Sequence, residues 1–479
     1  MIWIAFGIIA MLLALIAVIL IRAFAFVPQQ DSVGIVKEIC VDSDKAVADL
    51  SQMIQCKTVS SRTPGVECEA EFNKFKALMP QLFPRIYASC ECEEVGSRAL
   101  LYRYRGESEL EPTVLMAHFD VVEANEDEWD EPPFSGSVKN GLLWGRGTID
   151  TKITLNGAMQ ALESLIAEGF VPKRDVYLAF AGDEEVNGNG APMIVNLFCE
   201  RGIIPGAVID EGGAVVQNAF PGVEAPCAVV GIGEKGMLNA EFTFKGKGGH
   251  ASSPAPHTPI GRLSAACVRI ESHPFNFRLP DATRMLFDKL GRHSSFAYRL
   301  IFANLWLFAP VIDLISRKSG GEINALVRTT CAFTQMEGSK GMNVIPPKAS
   351  MVANLRIIPG ETCESVLARL KRTVNDPDIE IAEISGMDPS VTSRVGTVGW
   401  KKLERAITDT WPGVVVSPYL MFACSDSRHW GRISDRVYRF SPMALTAQER
   451  ASIHGNNECI SVEKVAKTVE FYKRLISEL

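Results

Sequence analysis

The chain has 479 residues and a formal net charge of −7, and 47% of its residues are hydrophobic and 22% charged. This length and composition are typical of a folded protein with more than one sizeable core rather than of a single small domain. The negative net charge and the lack of a lysine- or arginine-rich run argue against a nucleic-acid-binding function.

An apolar run at residues 2–21 is the first predicted element, and it contains no charged side chain. A helix of this length is about 30 Å long, which is sufficient to cross a bilayer. Because no basic residue precedes the run, we expect a membrane anchor at residues 1–25; a signal sequence cleaved near Ala25 is the alternative. Arg22 alone is too little to decide the side of the membrane. Residues 26–44 are predicted to form a tether.

Helical and strand patterns alternate from residue 45 onward. Residues 45–54 and 69–82 have helical periodicity, and residues 99–105 alternate like a strand. Three further apolar segments are typical of strands buried on both faces. They are residues 113–117, 176–181 and 207–209, with helices at 155–166 and 192–201 between them. This alternation predicts βαβ units and a mostly parallel central sheet.

The pattern changes after Gly236, where polar and apolar residues alternate along the predicted strands. The elements of this region are strands at 238–244, 325–333 and 349–357 and a helix at 260–271. Alternation of this kind predicts an α+β domain with one solvent-facing sheet surface. The α/β pattern then returns and ends in a helix at 462–479. We therefore predict an α/β domain in two parts, residues 45–235 and 359–479, interrupted by an inserted α+β domain at residues 236–358.

Side chains that can bind metal follow the predicted strands. They are His118, Glu184 with Glu185, and Asp210 with Glu211; Asp150 closes a nearby glycine-bounded loop. Because the carboxyl ends of parallel strands meet at one edge of a sheet, we expect these groups to converge. Imidazole and carboxylate in this mixture suit zinc, manganese or cobalt. Taken singly, a structural histidine or a solvated acidic loop is the simpler interpretation.

Asp120 lies two residues beyond His118, so on an extended chain the two side chains point to the same side. A carboxylate beside a ligating histidine commonly fixes its tautomer and raises its basicity. Asp120 is therefore predicted to support His118 rather than to bind metal itself.

Nine segments carry a family resemblance. In order along the chain they are LMAHFDVV, GRGTIDTK, DEEVNGNG, VIDEGG, GGHASSP, NVIPPKA, ANLRIIPG, CSDSRHW and IHGNNE. Together they resemble the two-zinc exopeptidases, metallopeptidase family twenty, which include aminoacylase, carboxypeptidase S and the N-fatty-acyl-amino-acid synthase/hydrolase. The resemblance runs from about residue 45 to the end and is nearest to the branch of the last two.

The resemblance implies two divalent metal ions, most simply zinc, held by five side chains. Asp150 would bridge both ions, His118 and Asp210 would complete one site, and Glu185 and His454 the other. Asp210 is preferred to Glu211 because it falls at the end of the predicted strand.

Glu184 would be the general base that takes a proton from the attacking water. Thr151 departs from relatives that often have a second acid there, and the resemblance also implies a cis peptide bond between Asp150 and Thr151.

Three residues of the inserted domain gain roles from the same resemblance. His250 would sit on a lid, reach an active site across a homodimer and stabilise the oxyanion. Arg356 would bind the free carboxylate of the substrate through its guanidinium group, with Asn343 assisting. The inserted domain would thus serve as a lid and dimerisation domain.

The sequence therefore predicts a membrane-tethered, two-metal amidohydrolase or carboxypeptidase. Its substrates would be peptides or N-acyl amino acids, including N-fatty-acyl amino acids, cleaved at the amide bond to a C-terminal amino acid. The alternatives are a dipeptidase of the same family and a catalytically inactive, membrane-tethered binding protein; the retained Glu184 argues against the second. The apolar residues 296–312 could contact acyl chains or a bilayer, although a core or dimer contact is favoured.

Overall fold

A computed structural model describes residues 2–28, 36–63 and 65–479. Residue 1 of the predicted anchor and residues 29–35 of the predicted tether lie outside the described residues. The helices are α1 (Ile2–Ala25), α2 (Ser43–Ile54), α3 (Glu69–Leu82), α4 (Pro84–Ser89), α5 (Lys152–Ala167), α6 (Gly190–Glu200), α7 (Pro259–Ser272), α8 (Asp281–His293), α9 (Phe296–Phe302), α10 (Leu305–Ser319), α11 (Gly321–Val327), α12 (Cys363–Val374), α13 (Val398–Thr410), α14 (Ala447–Ser452) and α15 (Val462–Ser477).

The strands are β1 (Glu91–Val95), β2 (Ala99–Tyr104), β3 (Thr113–His118), β4 (Val138–Lys139), β5 (Leu142–Trp144), β6 (Val176–Ala181), β7 (Ala207–Val216), β8 (Cys227–Glu234), β9 (Gly236–Lys245), β10 (Gly249–His250), β11 (Thr330–Glu337), β12 (Val344–Ile345), β13 (Lys348–Ile357), β14 (Ile379–Met387), β15 (Val415–Met421), β16 (Val437–Leu445) and β17 (Cys459–Ser461). Short 3₁₀ turns lie at Glu126–Glu128, Glu184–Val186 and Asp426–Arg432.

Eight strands form the main sheet in the order β1-β2-β6-β3-β7-β16-β8-β15. Its centre is parallel, because β3 pairs in parallel with β6 and β7, and β7 pairs in parallel with β16. Every residue of β3 and β6 is buried, as expected for strands covered by helices on both faces. The predicted α/β fold with a mostly parallel sheet is confirmed.

The two longest helices on one side of this sheet, α5 and α15, pack very closely. A Cβ atom on Gly157 of α5 would lie 2.5 Å from Cγ2 of Thr468 on α15, so only glycine permits this approach. Tyr472 and Leu475 of α15 are buried in the same core. This packing fixes the first turn of α5, which follows the loop that carries Asp150.

A second, four-stranded antiparallel sheet has the order β11-β13-β9-β14. Buried and less buried residues alternate along β13, and α7 and α12 contribute the apolar residues that cover the buried face. This unit is the predicted α+β insertion.

The boundaries of the insertion differ from the predicted 236–358 in two ways. Strand β14 pairs with β9, so the second sheet continues to Met387. Conversely, Leu286 and Leu290 of α8 belong to the core of the main sheet, although they lie inside the predicted insertion. Sequence patterns missed both because an amphipathic helix or strand has the same periodicity in either domain. The predicted strand at 325–333 is likewise divided between α11 and β11.

Helix α1 is exposed along most of its length, and among the described residues it is the one unbroken helix long and apolar enough to cross a membrane. Its C-terminal end contacts α9, where the rings of Phe24 and Phe296 lie 4.8 Å apart. The apolar stretch predicted at 296–312 forms α9 and most of α10.

Candidate metal centre

Five side chains from five separate segments meet beyond the carboxyl ends of the central strands. They are His118 at the end of β3, Asp150 in the loop before α5, Glu185 in the turn after β6, Glu211 within β7 and His454 after α14. Asp150 joins the two histidines: its Oδ1 lies 3.1 Å from Nε2 of His118 and its Oδ2 lies 3.0 Å from Nε2 of His454. The two oxygens of one carboxylate thus face two different imidazole rings.

Each imidazole has one further carboxylate. Oε1 of Glu211 lies 3.2 Å from Nε2 of His118, and Oε2 of Glu185 lies 3.1 Å from Nε2 of His454. The result is two groups, each with one histidine and one glutamate, that share Asp150. Potential ligand atoms of His118, Asp150 and Glu185 all lie within 4.8 Å of one another.

The sequence favoured Asp210 over Glu211, whereas the structure places Glu211 beside His118. The Asp210 carboxylate accepts a hydrogen bond from the backbone nitrogen of Ser427 at 3.0 Å, away from the two histidines. Strand β7 does not end at Ile209 but continues through both acids to Val216. The register of β7 against β16 is irregular between Asp210 and Gly213, and of the two acids it is Glu211 whose carboxylate lies beside His118.

Charge explains why this cluster suits cations. Burial raises the pKa of Glu211 to about 8 and also raises the pKa of Glu185. Hydrogen bonds to Asp150 and Glu185 raise the pKa of His454 to about 10. Buried carboxylates therefore draw protons onto themselves and onto the imidazoles, and divalent cations would satisfy the same demand with neutral imidazoles as ligands.

The donor set fits a metal pair for a second reason. Oε1 of Glu185 is buried and has no hydrogen-bond partner among the described residues. A buried carboxylate oxygen without a donor is costly unless a cation is adjacent. Two imidazoles with three carboxylates are also the ligand types that zinc and its neighbours prefer.

Asp120 contacts two of the segments that carry potential metal ligands. Its backbone oxygen and Oδ1 lie 3.0 Å and 3.3 Å from Nδ1 of His118, on the opposite side of the ring from Asp150. The same carboxylate accepts hydrogen bonds from the backbone nitrogens of Glu184 at 3.2 Å and of Glu185 at 3.1 Å. Asp120 thereby orients the His118 ring and holds the turn that carries both glutamates.

The loop that carries Asp150 is organised around a residue that sequence reasoning did not single out, Glu458. Its Oε1 accepts hydrogen bonds from the backbone nitrogens of Ile149 at 2.7 Å and Asp150 at 3.2 Å. Its Oε2 accepts from the backbone of Gly147 at 3.1 Å and from Arg146 Nη1 at 2.8 Å. Glu458 is the last residue of the IHGNNE segment, four positions after His454, which was the available signal.

Backbone geometry at two ligands is unusual. The peptide bond between Asp150 and Thr151 is cis, as the resemblance implied. His454 has a φ of 58°, in the left-handed region that non-glycine residues rarely adopt. The tight turn around His454 aims its ring at Asp150 and Glu185.

Glu184 lines the same cavity as Asp150, Glu185 and Glu211, with a volume of about 570 Å³. Burial raises the pKa of Glu184 well above its usual value, and the acids Asp426 and Glu211 add to this, while His118 opposes it. Glu184 is thus a proton-accepting group that would ionise once cations neutralise the neighbouring acids.

The opposite wall of the cavity is largely apolar. It includes Met421, Phe422, Met443, Leu445 and Ile453. Arg356 reaches its margin, because Nη1 of Arg356 lies 3.8 Å from Sγ of Cys424, which also lines the cavity. The cavity therefore offers acids, an apolar wall and a guanidinium group at its edge.

His250 and Asn343 lie elsewhere, on an exposed part of the insertion where β10 pairs with β12 in a two-stranded antiparallel sheet. The backbone oxygen of Asn343 accepts from the nitrogen of Ala251 at 3.0 Å, and Nδ1 of His250 lies 2.7 Å from Oγ of Ser252. In the described part of the chain no hydrogen bond joins His250 to the cluster. Within one chain, the structure brings Arg356 to the cavity but not these two residues.

Comparisons with known proteins identify the family. A model of peptidase family M20/M25/M40 matches residues 114–478. The chain is 32% identical over 481 residues to the probable carboxypeptidase S-like 2 of Dictyostelium discoideum, covering 97% of this chain and 92% of that protein. It is 34% identical over 477 residues to the N-fatty-acyl-amino acid synthase/hydrolase PM20D1 of Xenopus tropicalis, covering 97% and 93%.

Among solved structures, the M20 family metallo-carboxypeptidase Sso-CP2 from Sulfolobus solfataricus has the same fold. The TM-score is 0.67 at 16% identity, and the alignment covers 90% of this chain and 98% of that chain. These matches confirm the family resemblance that the nine segments indicated.

Proposed function

The chain belongs to peptidase family M20/M25/M40 and is a metal-dependent hydrolase, and we propose that it cleaves the amide bond between an acyl or peptidyl group and a C-terminal amino acid. The observation that carries the proposal is the division of the Asp150 carboxylate between His118 and His454 at 3.1 Å and 3.0 Å. One carboxylate facing two ligand groups is the arrangement that a bridged pair of metal ions requires.

Two divalent ions, most simply zinc, would be held by His118 with Glu211, by His454 with Glu185, and by Asp150 between them. When bound, they would supply Lewis acidity to the scissile carbonyl and to the attacking water. Glu184 would accept the proton of that water and return it to the leaving amine, which needs a carboxylate within hydrogen-bond reach.

The cavity supports a substrate with one apolar part and one carboxylate. Its apolar wall, which includes Phe422 and Met443, suits an acyl chain or an apolar side chain. Arg356 at the margin suits the free carboxylate of the amino acid that is released. An N-acyl amino acid, including an N-fatty-acyl amino acid, has both features, and so does a peptide with an apolar residue next to its C-terminal one.

Two parts of the proposal concern assembly. His250 and Asn343 occupy an exposed tip, so we infer that they act on the site of a second copy, with His250 stabilising the oxyanion. Helix α1 has the length and composition of a membrane anchor. A retained α1 would hold the catalytic domain at a membrane surface.

A substrate panel with metal analysis tests the proposal. N-fatty-acyl amino acids, short N-acyl amino acids and dipeptides are assayed on one preparation whose metal content is measured in parallel. We expect two metal ions per chain and hydrolysis of acyl amino acids that disappears on chelation and returns with metal. Hydrolysis of dipeptides alone would favour the dipeptidase alternative, and full metal content without hydrolysis of any substrate would favour the binding-protein alternative.

A further inference from the structure

The hairpin of α9 and α10 exposes more apolar surface than a soluble protein usually leaves to water. The two helices are bent by 103° at Ala303-Asn304. On α10, Trp306 is 57% exposed, Leu314 55% and Ile315 56%. At about 100° per residue these positions spread, with Pro310 and Val311, over one half of the α10 circumference, and the less exposed Ala309, Ile312 and Ser316 lie on the other half. A contiguous apolar face of this kind marks an interaction surface.

The bend of this hairpin is bound to the end of α1. Arg22 Nε donates to the backbone oxygen of Ala303 at 3.0 Å, and Asn304 Nδ2 donates to the backbone oxygen of Ile19 at 3.2 Å. Ala23 is fully buried at this contact, whereas most other positions of α1 are exposed. The two residues of the bend therefore fix where the hairpin sits along α1.

The position of the bend along α1 indicates that lipid is the partner of the exposed face of α10. Ile19 and Ala23 lie in the last two turns of α1, and each turn rises about 5 Å, so the bend is held within about 10 Å of the C-terminal end of the apolar helix. In a bilayer crossed by α1, this is the depth of the headgroup and upper acyl region, where amphipathic helices bury their apolar faces. Any occupant of the hairpin face must share this level with the lipid that surrounds α1.

We propose that the exposed face of α10, with Trp306, Val311, Leu314 and Ile315, inserts into the membrane leaflet in which α1 ends. Trp306 is suited to this interface, because the indole ring prefers the boundary between headgroups and acyl chains. The exposed Lys318 lies in the last turn of α10 and can reach anionic headgroups, while Arg317 pairs with Asp313 of the same helix. The hairpin would thus be a second attachment that fixes the orientation of the catalytic domain. The inference rests on the proposed anchor α1.

Fluorescence quenching by brominated lipid tests the insertion in the full chain. The chain is reconstituted into phosphatidylcholine vesicles with or without lipid brominated near the headgroup. Trp3 is exposed on α1 and is first replaced, Trp3→Phe, which leaves six of the seven tryptophans. We expect bromolipid to quench part of the remaining emission and expect the further change Trp306→Phe to abolish nearly all of that quenching. Equal quenching with and without Trp306 would overturn the proposal.

Charge insertion supplies a second variant with a matched control. In the Trp3→Phe chain, Leu314→Glu with Ile315→Glu should reduce the quenching of Trp306 at least severalfold. Val398→Glu, at a residue of α13 that is 61% exposed, should leave it unchanged. Hydrolysis of a short soluble substrate by all variants checks that they fold. Equal quenching in the charged and control variants would contradict the proposal.

Further outcomes distinguish membrane insertion of α10 from anchoring by α1 and from association between two chains. A Trp306→Phe chain that retains Trp3 reports on α1 alone. Quenching of Trp3 without quenching of Trp306 would leave the anchor intact and reject hairpin insertion, whereas quenching of neither would reject both. If Trp306 escapes bromolipid but is shielded from iodide only at high protein-to-lipid ratio, the face joins two chains and the proposal fails.

Discussion

The carboxylate of Glu458 accepts a hydrogen bond from the backbone nitrogen of Asp150, at 3.2 Å, although the two residues are 308 positions apart. Glu458 is fully buried, and its other bonds go to the backbone of Ile149 and Gly147 and to Arg146. The loop that presents the shared ligand is thus held by a residue close in sequence to His454. Ligands on both sides of the site depend on one buried acid.

Glu458→Gln should therefore weaken metal binding, because an amide cannot accept on both of its terminal atoms and carries no charge for Arg146. Outer residues of this kind typically change metal affinity about 10–100-fold. Competition with a chelator of known affinity measures the change. Glu163→Gln, at a buried acid of α5 that likewise accepts from backbone nitrogens, those of Arg85 at 3.1 Å and Ile86 at 2.9 Å, is the matched control. Equal affinity of the two variants would contradict the role of Glu458.

Replacing each of the two neighbouring acids of β7 in turn tests which of them binds metal. Glu211→Gln should lower the metal content from two ions to about one per chain, because the group around His118 loses its own carboxylate. Asp210→Asn should keep both ions, because its partner is the backbone nitrogen of Ser427. Elemental analysis of the purified variants measures this. The reverse pattern would restore the original preference for Asp210.

How far the sequence could predict the site is clear from these same residues. The convergence of His118, Asp150, Glu185 and His454 could be predicted because strand ends meet at one edge of a sheet and because the ordered segments resemble a family. The choice between Asp210 and Glu211 was not, since it depends on whether β7 ends or continues. The continuation past Ile209 and the irregular register between Asp210 and Gly213 both depend on pairing with β16, which is distant in sequence.

The fold could be predicted from the sequence to a similar extent. Buried strands such as β3 and β6 have unmistakable apolar runs, so the parallel centre of the sheet followed from the pattern. The domain boundary did not follow, because α12 and β14 have ordinary amphipathic periodicity and only the pairing of β14 with β9 assigns them to the insertion. Glu458 was missed for the related reason that burial of a polar residue is not encoded locally.

Substitutions of the two adjacent glutamates after β6 should have different effects on kcat and on metal content. Glu184→Gln should leave two metal ions bound but lower kcat by at least about a hundredfold, the usual contribution of a general base. Glu185→Gln should instead reduce metal content, because its Oε2 lies 3.1 Å from His454. Steady-state kinetics and elemental analysis on the same samples distinguish the two. Equal loss of metal in both would contradict this division.

Complementation between inactive chains tests whether His250 acts across a dimer. His250→Ala and Glu184→Gln chains should each be nearly inactive alone. After mixing with demonstrated subunit exchange, heterodimers combine one intact cluster with one intact His250, so activity should return in part. His257→Ala, at another exposed histidine of the insertion, is the control and should be active alone. Exchange without recovery would mean that His250 does not act on a partner's site.

Lys235, at the junction between the two domains, should make the stability of the chain depend on pH. This side chain is buried, and its Nζ donates to the backbone oxygens of Ala325 at 3.0 Å and Arg328 at 2.8 Å. Burial lowers the pKa of Lys235 to about 7, with a further decrease from Arg356 and an opposing effect of Glu361. A neutral amine can still donate to both carbonyls, so the folded state favours the uncharged form.

The direction in which stability changes with pH follows from proton binding. Above pH 7 the unfolded chain keeps a proton on Lys235 that the folded chain has released, so the free energy of unfolding should rise with pH until the unfolded lysine also titrates. Between pH 7 and pH 9 the gain is about 2 kcal/mol. Thermal unfolding in detergent should therefore show the Tm of the native chain rising relative to Lys235→Met over this range. Lys245→Met, at an exposed lysine of β9, should show no such divergence, and a constant difference between native chain and Lys235→Met would contradict the lowered pKa.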